Sequence, residues 1–137
     1  MGSAFKTLTI DDLIEINRRM IEEFGGVYFS QDQNLLFPGS LDHILESIQG
    51  NIFDIDRYPT IFEKAAGLAW RIIVGHVFHD GNKRTGMEAC RLFLEINGIK
   101  LKIDLDTVNI ALIVAKKEIQ FSEFVDWILK RSVDNFR

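Results

Sequence analysis

The densest chemistry in the chain lies between His76 and Arg84, which reads His-Val-Phe-His-Asp-Gly-Asn-Lys-Arg. Asp80-Gly81-Asn82 is a turn-forming triplet that leads into a predicted helix, whose first N–H groups have no helical acceptor and whose macrodipole is positive. Gly81 has no side chain, so a ligand can approach the main chain there, and positive φ is open to it. Lys83 and Arg84 add two positive charges, the second as a planar fork that fits phosphate oxygens. Together these parts make a cradle for phosphate. Asp80, a carboxylate beside that cradle, suits a Mg²⁺ that also keeps waters and phosphate oxygens. His76 has the side chain whose ordinary pKa makes it a proton acceptor near neutral pH. Base, metal carboxylate and anion cradle point to transfer of a nucleotide-derived group to a hydroxyl. Each piece alone is an ordinary turn, cap or solvated face; their order and spacing set the stretch apart.

Two helices must hold such a loop. Upstream, Ile61 to Val77 is apolar almost all round, and Thr60 with Glu63 forms a capping box at its start. Downstream, Arg84 to Asn97 closes on Gly98, a helix C-terminal signal. Trp70 and Phe78 are expected in the core, Phe78 anchoring the loop. Cys90 falls on the inward side of its helix and reads as packing rather than as a nucleophile.

The rest of the chain supplies further helices. Phe5 to Thr9 is short and β-prone and is read as an edge strand. Thr9, with Asp12 three residues on, opens a helix whose apolar positions Ile10, Leu13, Ile14, Ile16, Met20, Ile21 and Phe24 recur with a period near 3.6; Gly25-Gly26 ends it. Val27 to Phe37 shows no period and reads as loop. Ser40 is expected to cap a second helix, with Leu41, Ile44, Leu45 and Ile48 inside and Gly50 at its end. Asn51 to Tyr58 alternates in part and reads as a short hairpin or loop before the central helix. After an extended piece, Ile99 to Ile103, Asp106 is expected to cap a helix from Thr107 to Lys117. Ser122 is expected to cap a last helix from Glu123 to Arg131. The pattern is all-α: a compact bundle of about six helices in one domain spanning 1–137. Met1 to Ala4 reads as an expression remnant or a frayed end and carries no fold information.

Composition narrows the function. The 137 residues are 47% hydrophobic, enough for a substantial core. A net charge of −4 argues against a nucleic-acid or anionic-membrane partner, so phosphate must be held by local geometry. A single cysteine excludes an internal disulfide and fits a reducing cytoplasm. No signal peptide or membrane-spanning apolar run is expected.

The stretch closely resembles the signature of the Fic/Doc (Fido) family, roughly His-x-Phe-x-(Asp/Glu)-(Gly/Ala)-Asn-(Gly/Lys)-Arg. His76, Phe78, Asp80, Gly81, Asn82, Lys83 and Arg84 match it position by position. The resemblance extends from about Ser40 to Gly98 and more loosely over the chain. Two residues favour the Doc branch, the "death on curing" toxins. Lys83 stands where AMP-transferring Fic proteins usually carry Gly, and Met87 where they usually carry a second Arg. Val77 departs from the proline common at its position.

The resemblance implies a bundle with a flap before the central helix, and it assigns the flap to Asn51–Tyr58. Ile52, Phe53 and Ile55 would there clamp an extended piece of the target by strand addition. It implies transfer of the γ-phosphate of ATP, with Mg²⁺ held by Asp80, to a Ser or Thr hydroxyl of a protein target, a translation GTPase. His76 would be the base. Gly81 and Asn82 would seat the phosphate, and Lys83 and Arg84 would neutralise charge. No inhibitory helix of the Ser/Thr-x-x-x-Glu type is found, so an antitoxin acting in trans is implied. The same site can instead serve AMP or nucleotidyl transfer. Two readings from other classes are a transition-metal site of His76, His79 and Asp80, which lacks a third nitrogen ligand, and a non-catalytic binding module.

Overall fold

A computed structural model describes residues 5–50 and 56–134. In chain order the elements are α1 (Ile10–Phe24), α2 (Ser40–Gln49), α3 (Ile61–Gly75), α4 (Asn82–Ile96), β1 (Ile99–Leu101), α5 (Leu105–Ala115), α6 (Phe121–Lys130) and β2 (Ser132–Asp134). The fold is the expected all-α bundle, and among the described residues only β1 and β2 form a sheet, antiparallel, with Lys100 opposite Val133. No helix among these residues is long and apolar enough to cross a membrane.

The bundle is built round α3 and α4, its most extensive helix pair. Along α3, Ala65, Ala66, Leu68, Ala69, Ile72 and Ile73 are all buried, and α4 answers with Ala89, Cys90, Phe93 and Leu94. The small residues let the axes come close. At Gly86 a Cβ would sit 2.6 Å from Ile73 Cγ1 and 3.0 Å from the Ala69 carbonyl, so no larger residue fits. Each fully buried side chain such as Ile72 or Phe93 contributes about 1.5–3 kcal/mol of transfer free energy. The loop between these helices therefore springs from the most firmly held part of the molecule. Trp70 is partly buried, edge-on to Phe121, while Phe78 is fully buried.

The boundaries show which local rules won. Thr9 caps α1 through a reciprocal box with Asp12. Thr60 accepts from the Glu63 N–H, but the Glu63 carboxylate turns to the Thr60 hydroxyl, so half of the expected box forms. α2 is entered through Gly39 at φ +83, not capped by Ser40, whose hydroxyl donates to Phe37 O. α5 starts earlier than expected because Asp104, not Asp106, forms the box, paired with Thr107. α6 likewise starts at Phe121, with Gln120 rather than the expected Ser122 at its N-cap and the Glu123 carboxylate accepting the Gln120 N–H. α3 stops at Gly75 rather than Val77, and α4 begins at Asn82 rather than Arg84.

Phe5 to Thr9 is not a strand. The Lys6 N–H and C=O are taken by the Asn97 side chain at 2.8 Å each, so an amide replaces a neighbouring strand. Loop 27–37 holds a 3-10 turn at Ser30–Asp32 and a single bridge between Leu35 and Phe78. Of the flap, Arg57 and Tyr58 form a bend, and Ile52, Phe53 and Ile55 lie outside the described residues.

Candidate active site

The α3–α4 connection is six residues long, from His76 to Gly81. Its two ends are set by left-handed residues: His76 closes α3 at φ 50, ψ 55, and Gly81 opens α4 at φ 78. Gly81 is needed for that conformation and for space, since a Cβ would meet Asn17 Nδ2 at 3.1 Å and Ile21 Cγ1 at 3.2 Å. A histidine at positive φ is uncommon and tolerated. The consequence is that His76 turns off the end of a buried helix and stands exposed.

Asn82 joins the two ends. Its side chain is buried at 5% exposure; Oδ1 accepts the Phe78 N–H at 2.9 Å and Nδ2 donates to Phe78 O at 2.9 Å. Those two bonds fix which way the amide faces. Its remaining N–H points toward His76 Nδ1, 3.4 Å away. The imidazole therefore lies beside the first residue of α4. That contact is long for a hydrogen bond, so it locates the ring without locking its tautomer. The Asn82 side chain is thus spent on the loop, and what it leaves for an anion is main chain. The first bond of the α4 ladder runs from Thr85 N–H to Gly81 O, so the amides of residues 82–84 lie ahead of it.

Asp80 is half-buried and already engaged. One carboxylate oxygen accepts the Val27 N–H at 2.9 Å and the other the N–H of Gly81 at 2.8 Å. Each oxygen keeps a lone pair, and one carboxylate with phosphate oxygens and water is a sufficient set for Mg²⁺. His79 turns the other way, with Nε2 3.0 Å from Asp32 Oδ2 and its ring edge-on to Phe29. His76, His79 and Asp80 do not converge, and no group of three metal-ligating side chains occurs among the described residues.

Lys83 and Arg84 are exposed and line a groove of about 360 Å³ between α1, α4 and α5. The Arg84 guanidinium lies 4.0 Å from the centroid of the Phe24 ring, which supports it by a cation–π contact. Met20, Met87, Val108 and Leu112 make the groove apolar; Arg19 and Glu23 add charge to its lining. Cys90 takes no part. It is fully buried and its thiol is pushed up to about 12 by desolvation, which keeps it protonated.

A model of the Fic/DOC family matches residues 7–94. The chain belongs to that family. It is similar to a protein named Toxin Doc from Mycolicibacterium smegmatis, 33% identical over 91 residues that cover 66% of this chain and 70% of the relative. It is also similar to one named Protein kinase doc from Escherichia phage P1, 27% identical over 116 residues that cover 85% of this chain and 87% of the relative. The matched span takes in the Fic/Doc signature loop, α3 and α4 as far as Leu94. Two residues that the sequence did not single out bear on this loop, Asn17 and Asn34, both at 0% exposure. The readable signal was Asn17 itself, a polar residue in the apolar stripe of α1.

Proposed function

We propose that this protein is a Doc-like toxin that transfers the γ-phosphate of ATP to a Ser or Thr hydroxyl of a target protein. The observation that carries the reading is the exposed imidazole of His76, whose Nδ1 lies 3.4 Å from the side chain of Asn82, the first residue of α4, where the opening amides precede the helix ladder. A relative named as a protein kinase supports phosphate as the group moved. So do Lys83 and Met87 at the positions that separate the two branches of the family.

In the step, the target oxygen bonds to the γ-phosphorus as the bond from that phosphorus to the bridging oxygen breaks. The hydroxyl proton passes to His76, and ADP leaves. The amides of Asn82, Lys83 and Arg84 face the phosphoryl oxygens, and the Lys83 and Arg84 side chains add positive charge where negative charge develops. Asp80 would hold Mg²⁺, which supplies further neutralisation of the phosphates. Ile52, Phe53 and Ile55 would align the target, a translation GTPase by resemblance. Use of cellular ATP makes the cytoplasm its place of action.

An antitoxin in trans completes the reading. The groove beside Lys83 and Arg84 suits an amphipathic segment that folds on binding, apolar residues toward Phe24, Met87 and Leu112, acidic ones toward the cations. Mass spectrometry of a modified target tests the proposal. A gain of one phosphate is expected; a gain of a nucleoside monophosphate would replace it with nucleotidyl transfer.

A further inference from the structure

The signature loop is clamped on both edges, and the second clamp runs through two buried amides. On one edge the Asn82 side chain takes both peptide groups of Phe78. On the other, residues 34–36 act as a short strand: His79 N–H donates to Asn34 O at 2.8 Å and Leu36 N–H to Val77 O at 2.9 Å. Asn34 is held in turn, its Nδ2 donating to Asn17 Oδ1 at 2.9 Å and its Oδ1 accepting the Phe29 N–H at 2.9 Å. Asn17 spends its two amide protons on either side of Gly81, one on Asp80 O in the loop at 2.9 Å and one on Thr85 Oγ1 in the first turn of α4 at 3.0 Å.

We infer that Asn17 and Asn34 are positioning residues for the transfer centre, acting through the Asp80–Gly81 peptide and the first turn of α4. The inference rests on the phosphotransfer reading above. Asn17 is suited to the place by its atoms: two donors meet two acceptors, and its one acceptor meets the donor of Asn34. A carboxylate there has no proton for Asp80 O, and an aliphatic side chain has neither donor nor acceptor. Because the Asp80 carbonyl and the Gly81 N–H belong to one planar peptide, the bond from Asn17 sets the plane that leads into the cradle. Asn34 is placed by its own φ of 64, which asparagine tolerates, so that its carbonyl reaches His79 while its amide reaches Asn17. His76 and the α4 amides are thus aligned by two residues that touch neither substrate.

The test compares wild type with Asn17→Leu and with Ile128→Ala, a core variant in α6 outside the network that loses comparable thermal stability. Transfer of label from ATP is followed well below every melting temperature. A displacement of about 1 Å at a reacting group costs on the order of 100-fold in rate. Asn17→Leu should therefore lower kcat by roughly 10- to 100-fold while KM for the protein target stays within about twofold. Ile128→Ala should keep kcat near wild type. Amide hydrogen exchange provides a readout independent of chemistry: the His79 and Leu36 amides should lose protection in Asn17→Leu alone. Unchanged kcat with unchanged protection overturns the inference, as does an equal fall in both variants. If wild type moves no label, the proposed function fails, and exchange at His79 and Leu36 still decides whether Asn17 positions the loop.

Discussion

Replacing Asn82 by alanine removes the side chain that ties the loop across its neck. In the wild type that amide accepts from Phe78 N–H and donates to Phe78 O, both at 2.9 Å, at a residue itself 0% exposed. Deletion forfeits two bonds and leaves a buried donor and a buried acceptor without partners, each costing about 1–3 kcal/mol. Water entering the space left by the side chain offsets part of this, so a net loss of about 2–3 kcal/mol is expected. For a domain of this size that lowers the melting temperature by roughly 6–10 °C. Aspartate should not rescue, because its second oxygen would face the Phe78 carbonyl. Urea denaturation gives the free energy, and transfer assayed at a temperature where the variant is folded should also fall, since the His76 ring loses its neighbour. A loss below about 0.5 kcal/mol with transfer intact would refute the role given to Asn82.

Further outcomes follow from the same geometry. His76→Gly replaces a residue at φ 50 with one free of strain there and sacrifices little packing, so stability should be unchanged or higher by up to about 1 kcal/mol while transfer is lost. Differential scanning calorimetry beside the transfer assay reads both. Gly81→Ala should lose about 1–3 kcal/mol and most activity, combining a positive φ with contacts at 3.1 and 3.2 Å to Asn17 and Ile21. Cys90 should resist thiol reagents at neutral pH and react only on unfolding, followed by absorbance with a disulfide probe. Its folded pKa is raised from 9.0 to about 12, so the stability it contributes is present below pH 9 and fades as pH rises from there toward 12.

The parts of this molecule that obey local rules were readable in the chain. Helix periodicity and capping placed α1 and the start of α3, and Gly98 marked where α4 ends, while its start at Asn82 lay two residues before the expected Arg84. Where two local signals compete, the chain alone does not say which prevails. Asp104 and Asp106 are equally good caps alone, and Asp104 wins because Thr107 completes its box. Gln120 outranks Ser122 as a cap because Phe121 can then pack against Tyr58 and Trp70. What could not be read was everything joined over distance. Asn17 meets Asp80 and Thr85 from more than sixty residues away, and Asn97 takes the backbone of Lys6 from 91 residues away. β2 is a three-residue strand that exists only because β1 is beside it. The candidate site can be listed from the sequence as a set of residues; the hydrogen bonds that already occupy Asp80 and Asn82 cannot, since a carboxylate or amide in a turn carries no mark of which backbone it will bind.

The most direct test of the central claim uses ATP labelled at either the α or the γ phosphate, with Mg²⁺ and a cell lysate, and compares wild type with His76→Asn. Asparagine also tolerates the left-handed conformation, so the variant keeps the fold while losing the proton acceptor. The γ label alone should appear in a protein band with wild type and vanish with His76→Asn. Equal labelling by the two proteins would contradict a reaction centre built from His76 and the opening turn of α4.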